Sequence, residues 1–278
     1  YLESEKPIVY TWDTTFAGSL DYPMNSNLSA EAINLGNDCE QRALDKCKLA
    51  IFPSEWARQV ALDHYKVDKS KVKVVPFGAN LSCRRTIDDV NYIVESRNTS
   101  ECRLLFIATD WIRKRGDVVY RIAKDLNSLG LKTSLTIIGC HPLIDEPIPD
   151  FVQPLGFINK FEADGLSKIE SLLAKSHFLV MPSMAEAYGI VFCESSSFGT
   201  PSLASDVGGI STAIRDGVNG KLFPKDADAG EYCQYILDIF QDYAKYKSLA
   251  LSSFEEYNFR LNWAAASQTV KQLLKNCF

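Results

Sequence analysis

The chain of 278 residues carries only three histidines, no C-x-x-C among its eight cysteines, no excess of basic residues and no apolar run longer than a strand. Each shortage excludes something. With 30 Lys and Arg against 35 Asp and Glu, net charge -5, no basic footprint exists for nucleic acid or for an anionic membrane surface. Eight scattered cysteines, several in apolar segments, read as reduced intracellular thiols, not a disulfide frame or zinc site, and the expected location is cytoplasmic. The apolar runs, such as LLFIA at 104–108, fall far short of the roughly 18 residues that cross a bilayer, so neither a span nor a signal peptide is expected. His64, His141 and His177 do not stand at metal-ligand spacing, and no metal is expected. A nucleophile elbow, a Walker loop and G-x-G-x-x-G are all missing, which weakens simple hydrolase and dehydrogenase readings. Internal repeats and low-complexity tracts are absent as well. The first residue is Tyr1 instead of Met and a strand begins almost at once, so the chain reads as a fragment.

What is present is ample core material, with 46% hydrophobic residues, arranged as alternating strand and helix patterns. PIVYTW (7–12), KLAIF (48–52) and KVKVV (71–75) read as strands, and SEWARQVALDHYK opens with a capping Ser54 and continues at helical spacing. The polar, weakly periodic segment 83–101 reads as a linker. Beyond it come RLLFIAT (strand), GDVVYRIAKDLNSLG (helix), TSLTIIG (strand), KIESLLAKS (helix) and HFLVMPS (strand). PSLAS and KLFP follow as strands, and three helical patterns run to the end. Near-continuous apolar strands alternating with amphipathic helices predict an α/β fold with a parallel, doubly wound sheet.

Ligands of such sheets bind beyond the carboxyl ends of the strands. Three predicted turns there carry unusual residues. The run MPSMAEAYGIVFCESSSFGTPSLAS (181–205) holds just two carboxylates, Glu186 and Glu194, around a Gly189 turn. Were both helical, they would stand about 12 Å apart along the axis, too far to grip one atom and suited to two parts of one extended ligand. Glu194 sits among residues that read as buried, where a lone carboxylate is costly; the alternative is a helix-start carboxylate and a surface one. The turn TDWIRKRGD (109–117) supplies Arg113, Lys114 and Arg115 to an acidic protein, either as a phosphate site, with Arg113 or Lys114 as binder, or as a solvated face. In SDVGGIST (205–212), Gly208 and Gly209 bring backbone close to a ligand or make a tight turn.

Taken in order, PIVYTWDTT, PSEWARQVALDHY, VVPFGANL, DWIRKRGD, EAYGIVFCE and GTPSLASDVGGISTAIRDGVNGKLF resemble the retaining glycosyltransferases of family 4, whose E-x7-E motif is matched by EAYGIVFCE. The resemblance covers nearly the whole chain. It implies the GT-B fold, two Rossmann-like domains with the N-terminal one incomplete: residues 1–88 as the C-terminal part of the acceptor-side domain, 89–260 as the donor-binding domain, and 261–278 as a helix returning toward the first domain. It further implies that Glu186 holds the sugar, that Glu194 holds the ribose, and that Tyr188, Gly189, Ile190 and Val191 present backbone. Lys114 and Arg113 would meet the phosphates, and Gly208 and Gly209 belong to the same donor site. This chain departs from the family pattern at several places. Ala108 and Thr109 stand where many members have Gly and Arg, Arg115 replaces a Gly, Ser211 and Thr212 replace a Pro-Glu pair, and Asp13 replaces a histidine near the reacting sugar.

The implied reaction moves a sugar from a nucleotide diphosphate sugar to an acceptor hydroxyl, with retention, without metal or other cofactor, in polysaccharide or glycoconjugate biosynthesis. The implied partners are a nucleotide-sugar donor and an acceptor saccharide or glycoconjugate, with peripheral membrane contact left to residues preceding this chain. The alternatives are a donor-binding fragment without turnover and a nucleotide-sugar epimerase of the same fold.

Overall fold

The computed structural model describes residues 4–20, 22 and 25–277; Tyr1 and Phe278, the outer ends of the expected first and third segments, lie outside them. Two parallel sheets organise the chain. The smaller pairs β1 (Val9–Thr11), β2 (Leu49–Phe52) and β3 (Val72–Val74) in that order, with Val9 opposite Leu49 and Ala50 opposite Val72. Its strand β2 is buried at every position, as expected of a central strand covered on both faces. One face packs Ala50 and Phe52 against Leu44 of α2 (Ala30–Lys46) and against Ala57 and Ala61 of α3 (Glu55–His64). The other packs Leu49, Ile51 and Val75 against Ala266, Val270 and Leu274 of α11, Trp263–Cys277.

The larger sheet contains β4 (Cys102–Ile107), β5 (Thr133–Ile138), β6 (Val152–Pro154), β7 (Phe178–Met181), β8 (Ser202–Ser205) and β9 (Gly220–Phe223) in the spatial order β6-β5-β4-β7-β8-β9, all parallel. Counted within this sheet, that is the doubly wound order 3-2-1-4-5-6. The order reverses between β4 and β7, and a crevice opens where both strands end, at Ile107 and Met181. The predicted turns DWIRKRGD and EAYG are the loops that leave those two ends. α5 (Gly116–Ser128), α6 (Ala163–Lys175), α7 (Ile190–Ser196), α9 (Ala229–Gln241) and α10 (Tyr243–Arg260) cover the sheet and share one hydrophobic core with it.

Three elements differ from the sequence reading. The segment expected as a linker holds α4 (Ile87–Glu95), begun by a Thr86–Asp89 capping box, and its Val90 and Val94 are fully buried in the core of the larger sheet. Two valines four apart are a narrow stripe, and the polar residues around them hide it. α2 was not foreseen because Leu44 is the one buried residue of its 17. β6, three residues at the sheet edge, is too short to show alternation.

Candidate active site at the strand crossover

Gly189 decides where the loop after β7 turns into helix. It caps α7 with φ 86°, a left-handed conformation, and a Cβ there would lie 2.4 Å from the Phe192 ring. α7 is only Ile190–Ser196, so Glu186 lies in the preceding loop and Glu194 in the helix. Both carboxylates nonetheless line one cavity of about 440 Å³, together with Lys114, Lys160, Gly189, Ile190 and Val191. Each glutamate has its own lysine. Lys114 Nζ donates to Glu186 Oε2, and Lys160 Nζ donates to Glu194 Oε1 at 2.8 Å. Burial pushes the Lys114 ammonium below the usual lysine range, and the Glu186 carboxylate opposes that shift. The amides of Ile190 and Val191 precede any helical acceptor, while that of Phe192 donates to the Gly189 carbonyl at 3.0 Å, so the cavity joins two cations, two carboxylates and the first backbone groups of α7.

Glu186 also lines a second cavity, of about 650 Å³, on the side of the smaller sheet. Asp13, Tyr22, Glu40 and Arg113 line it too. Asp13 follows β1 and is exposed, and its Oδ1 accepts from the Thr14 amide at 2.9 Å. Burial, then Glu186 and Asp13, hold the Tyr22 phenol well above its ordinary range. Glu40 accepts from the Tyr10 hydroxyl at 2.7 Å, and burial raises its carboxyl despite that bond.

Residues 101–242, just over half of the chain, match the family described as glycosyl transferases group 1. The chain belongs to that family. A D-inositol 3-phosphate glycosyltransferase of Nocardiopsis dassonvillei is 37% identical over 264 residues, 88% of this chain and 58% of its own length. One of Nocardia farcinica is 29% identical over 185 residues, 63% of this chain and 41% of its own length. The chain spans about half the length of the curated relatives it matches. Among solved structures, Anabaena Alr3699/HepE in complex with UDP and glucose superposes with TM-score 0.68 at 18% identity, over 97% of this chain and 72% of that one. WaaG, a glycosyltransferase involved in lipopolysaccharide biosynthesis, does so with TM-score 0.71 at 17% identity, over 94% and 73%. These superpositions identify the GT-B fold with its Rossmann-like sheets.

In this member of the group 1 family, most of the expected site residues line one or the other of the two cavities. Glu186, Glu194, Lys114, Gly189, Ile190 and Val191 meet in the first. Arg113 does not: it lines the second, where its Nη1 donates to the Ala185 carbonyl at 3.1 Å and its Nε stands 3.5 Å from Asp110 Oδ2. Thr109, at the position where many members have Arg, does line the first cavity, and the second cation there is Lys160. Tyr188 has its side chain in the core, donating to the Phe77 carbonyl at 2.9 Å. Gly209 donates its amide to the Glu186 carbonyl at 3.0 Å. Gly208 has φ 55°, and a Cβ on it would lie 2.1 Å from that same carbonyl oxygen. The pair therefore presses on the loop that carries Glu186. Arg115 takes φ 52°, the left-handed region that explains why glycine suits this position, and its guanidinium is held by the carbonyls of Lys225 and Ala227 at 2.9 and 3.2 Å.

Sequence reasoning missed Lys160, Tyr22 and Glu40. None carries a local signal; each reaches the site only through tertiary structure, from the loop before α6, the segment before α2, and α2 itself. Of the histidines, His177 is buried, with Nδ1 accepting from the Arg103 amide at 2.9 Å, and burial followed by Arg97 pushes its imidazole down to about 3. His64 and His141 are exposed. No helix among the described residues is long and apolar enough to cross a membrane.

Proposed function

We propose that this chain binds a nucleotide diphosphate sugar in the crevice between β4 and β7 and belongs to an enzyme that transfers the sugar, with retention of configuration, to an acceptor hydroxyl. The observation that supports the reading most is the pair of Glu-Lys couples in one cavity at the strand crossover. Glu194 takes the ribose hydroxyls, because one carboxylate can accept from two vicinal hydroxyls while Lys160 occupies Oε1. Lys114 and the first amides of α7 take the diphosphate, where negative charge grows as the leaving group departs. Glu186 stands between the cavities and takes the sugar, whose far side faces Asp13. The base lies toward the exposed rings of Phe157 and Phe161 at the cavity rim. In the reaction, the bond from the anomeric carbon to the diphosphate breaks, a bond to the acceptor oxygen forms, and the hydroxyl proton goes to the departing diphosphate. The charge stabilisation is assigned to Lys114, with no metal or other cofactor.

The test is calorimetric titration of the chain with UDP, GDP and ADP, with their glucose derivatives and with the bare nucleosides, beside a sugar-transfer assay. UDP comes first, since the HepE structure holds it. At least one diphosphate should bind more tightly than its nucleoside; binding of none refutes the reading. The chain's span of about half its relatives' length favours a second reading for the chain by itself, donor binding without turnover. Sustained transfer by the 278 residues alone would remove it, and conversion of the nucleotide sugar to an epimer would replace both readings.

A further inference from the structure

We infer that the second cavity selects an uncharged, polyhydroxylated acceptor and rejects a phosphorylated one. The inference rests on the donor reading above, which places the reacting sugar at Glu186. From there the cavity of about 650 Å³ extends to the smaller sheet, and three carboxylates line it: Glu186, which Lys114 pairs from the first cavity, Glu40, which accepts from the Tyr10 hydroxyl, and the exposed Asp13. Against them, among the described residues of the lining, stands one cation, Arg113, already bonded to the Ala185 carbonyl and close to Asp110. Carboxylates accept hydrogen bonds from hydroxyl groups, and ionised ones make the stronger bonds. A phosphate monoester brings about two negative charges at neutral pH and no hydroxyl donor of its own.

One further observation fits a sugar or cyclitol. The Trp12 ring, 64% exposed, stands at the cavity wall and offers an apolar face to the C–H side of a ring. Burial raises the Tyr22 phenol most, and Glu186 and Asp13 beside it add to the rise. The D-inositol 3-phosphate glycosyltransferases among the relatives are named for a phosphorylated cyclitol; the lining here predicts the opposite preference on charge.

The experiment titrates the 278-residue chain, with its first cavity kept saturated by nucleoside diphosphate, with myo-inositol and methyl glucoside, and with inositol 3-phosphate and glucose 6-phosphate. Saturation keeps Lys114 and Lys160 from capturing the phosphates. The phosphorylated compounds should bind about tenfold more weakly, or worse, than their neutral counterparts. Asp13→Asn and Glu40→Gln, both near-isosteric, should narrow that gap severalfold by improving the phosphorylated compounds. Equal or tighter binding of the phosphorylated compounds overturns the inference, as does a gap unchanged in both variants. Failure of the nucleoside diphosphate to bind overturns the donor reading instead, and is seen first in the same titration.

Discussion

Glu194→Ala offers the most direct test of how the first cavity reads a nucleotide. The carboxylate has two oxygens with about four lone-pair positions, and Lys160 uses Oε1 at 2.8 Å. Capacity therefore remains for both ribose hydroxyls without breaking the ion pair. Hydrogen bonds to a charged group contribute about 1.5–3 kcal/mol. Losing them should weaken the nucleoside diphosphate by about 10- to 100-fold. The Lys160 side chain, 31% exposed, is re-solvated in the variant. Calorimetry with UDP and with its 2′,3′-dideoxy analogue separates the two contributions. Wild type should prefer the ribose form, and the variant should bind both alike, with little change for the dideoxy compound. An equal loss for both ligands would make Glu194 a structural partner of Lys160, and no loss for either would remove it from the site.

Lys114→Ala should weaken the nucleoside diphosphate far more than the bare nucleoside, because only the former presents charge to the ammonium; parallel losses would make the lysine structural. Gly189→Ala should lower stability by about 1–3 kcal/mol through its left-handed φ and the Phe192 contact, read as a drop in urea midpoint at constant m; an unchanged midpoint would show that the turn relaxes. His177 binds a proton below 6.5 when unfolded but only near 3 when folded, so stability contributed by this site is intact above pH 6.5 and declines as pH falls from there toward 3. The slope is at most about 1.4 kcal/mol per pH unit, and His177→Asn should be less acid-sensitive in that window; identical slopes would clear the histidine.

Strands such as LAIF and LLFI, the capping Ser54 and the turns after β4 and β7 were legible because each is a local pattern written in adjacent residues. α4 was hidden because its buried stripe is two valines wide, and α2 because it buries so little. At the site, Glu186, Glu194 and Lys114 stood out as charges in unusual surroundings. Lys160 and Glu40 look like any other surface charge until the fold carries them inward. Arg113 neighbours Lys114 in sequence, but consecutive side chains leave a turn in different directions, and each of the two lines a different cavity.

The close approach of Gly208 and Gly209 to the Glu186 carbonyl bears on any redesign of this scaffold. A methyl group at Gly208 would not merely crowd a turn; it would push the backbone of Glu186, while Gly209 is wedged as closely against Ala187 and Ser54. Libraries aimed at a new donor should therefore leave both glycines fixed and diversify the rim at Phe157 and Phe161, whose exposed rings line the first cavity without being packed in the core.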